Sequence, residues 1–77
     1  MEDLLEYLAR ALVDEPDAVE VEGFDEDDGT IVLELHVAEG DAGKVIGRGG
    51  RTVAALRTVM KAVAVRDGHR VLVDVVD

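Results

Sequence analysis

The chain has 77 residues, no cysteine, 18 acidic and 8 basic side chains, and a formal net charge of −10 at pH 7. That length holds one domain with one small core, burying only about 60% of the surface its unfolded chain exposes. The lack of cysteine excludes a disulfide framework, thiolate catalysis and cysteine-ligated zinc, and no apolar run approaches membrane-spanning length. The start Met1-Glu2-Asp3 lacks the basic and apolar stretches of a signal peptide, so a cytoplasmic location without a membrane partner is expected.

In chain order, Leu4, Leu5, Leu8, Ala11 and Leu12 form an apolar stripe at helical spacing, with Glu6 and Arg10 four apart on the outer face. Pro16 is expected to stop this helix after Glu15. Tyr7, a lone aromatic on an acidic helix, reads as a packing residue rather than a base-stacking platform. Residues 18–22 alternate strictly, and a second alternating run puts Ile31, Leu33, Leu35 and Val37 on one face. Both are strands of a hairpin, with residues 23–28 between them and a turn closing on Asp28-Gly29. The acids Asp25, Glu26, Asp27 and Asp28 lack the spacing of a calcium loop and read as a solvated turn, so no metal site is expected.

After Glu39-Gly40 the chain leaves the sheet, and Asp41 is placed to N-cap a short helical turn ending at Ile46. Next comes Gly43-Lys44-Val45-Ile46-Gly47-Arg48-Gly49-Gly50-Arg51-Thr52, with four glycines in eight positions. Glycine permits tight turns, positive φ and close approach to a ligand. Val53, Leu56, Val59, Met60 and Val63 then recur at helical spacing, so Arg51 and Thr52 fall in the first turn of a helix reaching about Val65. Its free N–H groups and positive dipole end point back at the loop, an arrangement that suits a phosphate. Lys44, Arg48 and Arg51 add positive charge there.

The charge distribution supports that assignment. Residues 1–42 carry 15 acids and one base, whereas residues 43–66 carry six bases and no acid. Such segregation gives one face that attracts an anion and another that repels it. Nucleotide loops fit poorly. A phosphate-binding loop of the Walker type needs lysine followed by serine or threonine after its last glycine, and a dinucleotide fingerprint needs glycine or alanine at Thr52.

Within the helix, Ala54, Ala55 and Ala62 allow close packing or floor a shallow groove. Arg57 and Lys61 lie four apart and either reach phosphates or are simply solvated. Asp67-Gly68 ends the helix, and residues 69–76 form a last strand with Val71, Val73 and Val75 on one face. Two helices join the second strand to this one, so the pair is parallel and the crossover right-handed. The expected order is α-β-β-α-α-β.

These residues carry a family resemblance. Val45-Ile46-Gly47-Arg48-Gly49-Gly50 resembles the Ile-Gly-x-x-Gly core of KH domains, whose loop joins two helices and clamps about four nucleotides of single-stranded nucleic acid. Over nearly its whole length the chain is similar to the small single-KH bacterial RNA-binding proteins of the KhpA type. The resemblance implies an α+β, type II KH-like fold: a three-stranded mixed sheet with helices packed on one face, in a single domain over residues 1–77. Residues 43–52 and Ala54 become the RNA contacts, with Val45 and Ile46 either contact or core. Arg66, His69 and Arg70 join Arg57 and Lys61 as secondary contacts, the segment from Arg66 to Arg70 matching the family's variable loop. Arg48 is the one cation inside the variable pair.

Two function classes stand from this reading. One is single-stranded RNA binding without chemistry, in post-transcriptional control or as an RNA chaperone. Its affinity comes mainly from the backbone clamp, since Tyr7 and Phe24 are the only aromatic residues. The other is a protein interaction module, since strand edges invite pairing. For that class the resemblance implies homodimerisation or pairing with a Jag-type KH protein. An enzyme is not expected, because His36 and His69 lie in separate strand contexts with no nucleophile motif, and no cofactor is implied.

Overall fold

The computed structural model describes residues 1–76. Its elements are α1 (Glu2–Arg10), β1 (Glu20–Asp25), β2 (Thr30–His36), α2 (Ala42–Ile46), α3 (Arg51–Arg66) and β3 (Arg70–Val76), with 3-10 turns at Pro16–Ala18 and Arg48–Gly50. The sheet order is β1-β2-β3; β1 runs antiparallel to β2, with Glu20 opposite His36, and β2 runs parallel to β3, with Thr30 opposite Arg70. The α+β architecture and the α-β-β-α-α-β order are those expected from the sequence.

Strand alternation decides what the sheet buries. Leu33, Leu35, Val71 and Val73 face the helices, where they join Leu5 and Ala9 of α1, Val45 of α2, and Leu56, Met60 and Ala64 of α3 in one core. The intervening residues point the other way, and Leu72 on that open face is 55% exposed. Core burial is therefore carried by one face of the sheet and one stripe of each helix.

Three local features differ from the sequence reading. First, α1 ends at Arg10 rather than running on towards Pro16. The Asp14 and Glu15 amides donate to the Asp41 carboxylate at 3.3 and 3.0 Å, instead of to carbonyls four residues back as a continued helix requires. Lys44 secures the same loop through Asp14, at 3.1 Å. Second, Asp41 makes no side-chain cap to α2. Only 4% exposed, it is a buried acceptor tying the chain after α1 to the start of α2.

Third, β1 continues through Gly23 and Phe24 to Asp25, pairing with Ile31, so the loop shortens to residues 26–29. Gly29 donates to the Glu26 carbonyl at 3.1 Å and takes φ 86°, while Asp28 Oδ1 accepts from the Thr30 amide at 3.0 Å. A type I turn followed by a left-handed glycine closes the hairpin.

At its far end α3 stops in a Schellman motif. Gly68, at φ 79°, donates to the Val65 carbonyl at 3.1 Å, and His69 donates to Ala64 at 2.8 Å. Glycine is needed there for the left-handed turn that starts β3.

Candidate nucleic-acid interface

The basic loop is a break between two helices held open by backbone conformation. Gly47 has φ 78° and ψ 170°, a region essentially closed to residues with a side chain. It is also walled in, since a Cβ there would lie 2.9 Å from the Thr52 amide nitrogen and against the Thr52 hydroxyl. Both conditions demand glycine. Gly49 (φ 65°, ψ 18°) and Gly50 (φ 77°, ψ 14°) are left-handed but face open space. Their role is conformational only.

Gly47 ends α2 by donating to the Gly43 carbonyl at 2.9 Å, and Gly50 closes the next turn by donating to Gly47 at 3.1 Å. The Arg51 amide donates to Arg48. That leaves the Arg48 and Gly49 amides, at the start of the turn, without an acceptor inside it. The 16-residue α3 begins immediately afterwards, so its dipole adds positive potential to the same spot.

The cations of the loop divide into two groups. Arg48 and Arg51 are exposed and form no ion pair among the described residues. Lys44 instead pairs with Asp14 at 3.1 Å and with Asp41 at 3.8 Å. The Asp14 carboxylate raises the Lys44 ammonium above its usual pKa, with Asp41 adding to the effect. Its charge is largely answered within the fold. Val45 is fully buried in the core and so cannot touch a ligand, whereas Ile46 is 40% exposed beside the loop.

From the loop a strip of α3 leads along the free edge of β3. Ala54 is exposed on it, and a groove of about 330 Å³ follows, lined by Arg57, Thr58, Lys61, Leu72, Val73 and Asp74. Arg57 is not a free cation. Its Nε and Nη2 donate to the Val73 carbonyl at 3.1 and 3.0 Å, so the guanidinium covers an otherwise unpaired acceptor on the edge strand. Lys61, by contrast, forms no ion pair among the described residues.

Arg66, His69 and Arg70 lie at the other end of α3, about 24 Å along a 16-residue helix from the glycine loop. His69 and Arg70 line a recess with Asp28 and Gly29 of the hairpin turn. The Thr30 amide holds the Asp28 carboxyl below its usual pKa, and Arg70 contributes a smaller lowering. This segment is not gathered with the glycine loop. Sequence reasoning missed Thr58 and Asp74 as groove residues. Thr58, four positions after Ala54, was findable from helical spacing, whereas Asp74 enters only through the packing of β3 beside α3.

The KhpA/KhpB KH-domain family model matches residues 2–75. A protein named RNA-binding protein KhpA from Clostridium acetobutylicum is 49% identical over 76 residues, covering 99% of this chain and all of that relative. Proteins of the same name are 46% identical over 76 residues in Caldanaerobacter subterraneus and 47% identical over 77 residues in Halalkalibacterium halodurans, each matched along its full length. The chain belongs to the KhpA/KhpB family of KH domains.

Proposed function

We propose that this chain binds single-stranded RNA through the loop from Gly47 to Gly50, in a role of post-transcriptional control or RNA chaperoning in the cytoplasm. The observation that carries the reading is Gly47: its dihedrals and the Thr52 wall leave no room for a side chain. The Arg48 and Gly49 amides, with the Arg48 and Arg51 guanidiniums, receive two phosphates. Ile46 and Ala54 offer the bases a small apolar floor, and Lys61 meets a further phosphate in the groove. RNA-binding relatives at 46 to 49% identity support the same assignment. The role is binding, with no bond made or broken.

Two neutralised phosphates give a log-log salt slope of about −1.4 on a single strand, and Lys61 brings it to about −2. The test is fluorescence anisotropy with short labelled RNAs, comparing the native chain with an Arg48→Asp, Gly49→Asp double variant. Gly49 faces open space, so the variant should keep its fold, as circular dichroism will verify. Loss of most affinity in the folded variant supports the clamp. Equal binding by both proteins refutes it.

A second reading, pairing with another copy or another KH chain, is favoured by the open sheet face. There Phe24, Val32 and Leu72 lie abreast across the three strands, and Phe24 and Leu72 are exposed. Pairing and RNA binding use different surfaces and are compatible.

A further inference from the structure

We propose that Glu22, Glu34 and His36 form a binding site for a first-row divalent transition-metal ion of the zinc class. Glu34 and His36 are two residues apart on β2 and therefore share the open face of the sheet; Glu22 sits directly opposite Glu34 on β1. One donor atom from each residue lies within 4.8 Å of the other two. The His36 Nε2 is 3.4 Å from the Glu34 carboxylate and 3.8 Å from that of Glu22.

Those spacings discriminate between two explanations. A charge-assisted hydrogen bond from imidazolium to carboxylate would close to about 2.7–2.9 Å. Donors at the corners of a tetrahedral zinc site, with bonds of about 2.1 Å, stand roughly 3.4 Å apart. The 3.4 Å separation matches the second geometry, and the 3.8 Å separation is too long for the first. Moreover, Nε2 is shut off from solvent and has no hydrogen-bond partner among the described residues, an orphan that a metal bond would satisfy.

The surroundings favour a cation. Glu22, Glu34 and Asp74 stand abreast on the three strands, and Glu20 lies opposite His36. Like charges directly opposite one another destabilise a sheet, and a divalent ion reverses that cost. A nitrogen donor selects zinc-like ions over magnesium or calcium, and three protein ligands leave a coordination position for water. The ion would staple the edge strand β1 to β2, on the side of the sheet away from the helices. The inference is independent of RNA binding.

The test uses the full chain after treatment with a chelator. Zinc is titrated in by calorimetry with magnesium in excess to occupy weak acidic sites, and both histidines are followed by NMR. Expected are one zinc per chain, movement of the His36 ring signals with those of His69 unchanged, and a melting temperature that rises with zinc. His36→Gln and Glu34→Gln should each weaken binding at least about tenfold and abolish the rise. Binding that magnesium abolishes, equal binding by the His36→Gln protein, or static His36 signals would overturn the site. The NMR readout on the native chain holds even if a variant is poorly folded.

Discussion

Replacing Gly47 by alanine tests whether the loop is built around a position that excludes a side chain. The new Cβ would stand 2.7 Å from the Thr52 Cβ and 2.9 Å from its amide nitrogen, in a backbone conformation of φ 78° and ψ 170°. Holding a residue with a side chain in that region costs about 1–3 kcal/mol, and relieving the overlap by moving the first turn of α3 adds about 1–3 kcal/mol. The sum, roughly 2–6 kcal/mol, is a large part of the total stability of about 4–12 kcal/mol for a chain of this length. A melting temperature lower by at least about 8 °C should follow, since 1 kcal/mol shifts a small domain by about 4–8 °C. Gly49→Ala is the internal control. At φ 65° and ψ 18° with nothing within 4 Å, it meets only the left-handed penalty of about 1–2 kcal/mol. Thr52→Ala on the Gly47→Ala background should recover little, because the backbone nitrogen and Cβ remain in place. Calorimetric melting of the four proteins decides it. If Gly47→Ala is no more destabilising than Gly49→Ala, the wall argument is wrong and with it the claim that this glycine is sterically fixed.

Two further outcomes are expected. Arg57→Met removes both donors from the Val73 carbonyl and should cost about 1–2 kcal/mol in urea unfolding, with the RNA salt slope unchanged; Lys61→Ala should leave stability alone and flatten the slope by about 0.7. A flattened slope in Arg57→Met would show that its guanidinium serves phosphate rather than the strand edge. Second, the Asp28 carboxyl lies below its usual pKa of 3.8, chiefly through the Thr30 amide. The sign follows: its contribution is fully present above pH 3.8 and is lost as pH falls through the lower folded value. Carboxyl NMR titration should place the Asp28 midpoint below 3.8, and a midpoint at or above that value would contradict the turn geometry.

Much of the fold was legible because its signals are local and periodic. Val53, Leu56 and Met60 announced α3, Leu33 and Leu35 announced β2, and the connection through two helices dictated the parallel pair. The loop was equally legible, since Gly47, Gly49 and Gly50 mark positive φ before any coordinates are known. What the sequence hid depended on contacts between distant residues. Beyond the early end of α1, Asp41, 27 positions after Asp14, takes the Asp14 and Glu15 amides that a longer helix would use. The same contact turned an expected cap into a buried acceptor and left Lys44 paired. Arg57 looked like a free cation because helical spacing puts it on an outer face, and only the packing of β3 alongside brings the Val73 carbonyl under it. The Glu22, Glu34 and His36 cluster required the hairpin register, which the longer expected loop left unset.

On the proposed RNA-binding reading, the charge segregation along the chain governs how a polyanion approaches the fold. The open face of the sheet carries Glu20, Glu22, Glu34 and Asp74, a surface that a phosphate backbone avoids. Arg48, Arg51 and Lys61 lie on the loop and along α3, so the attractive potential runs with the helix. A strand approaching from the sheet side meets like charge; one lying beside α3 has the glycine loop at one end and the groove lined by Arg57, Thr58 and Lys61 along it. Lys44 is answered by Asp14 and the Arg57 guanidinium is engaged at a carbonyl, so neither is free to reach a phosphate. On the RNA-binding reading proposed above, the acidic surface therefore disfavours approach from the sheet side, and affinity comes from close fit at the glycine loop. That is why close fit at the glycine loop, rather than net charge, is what the proposed RNA-binding reading depends on.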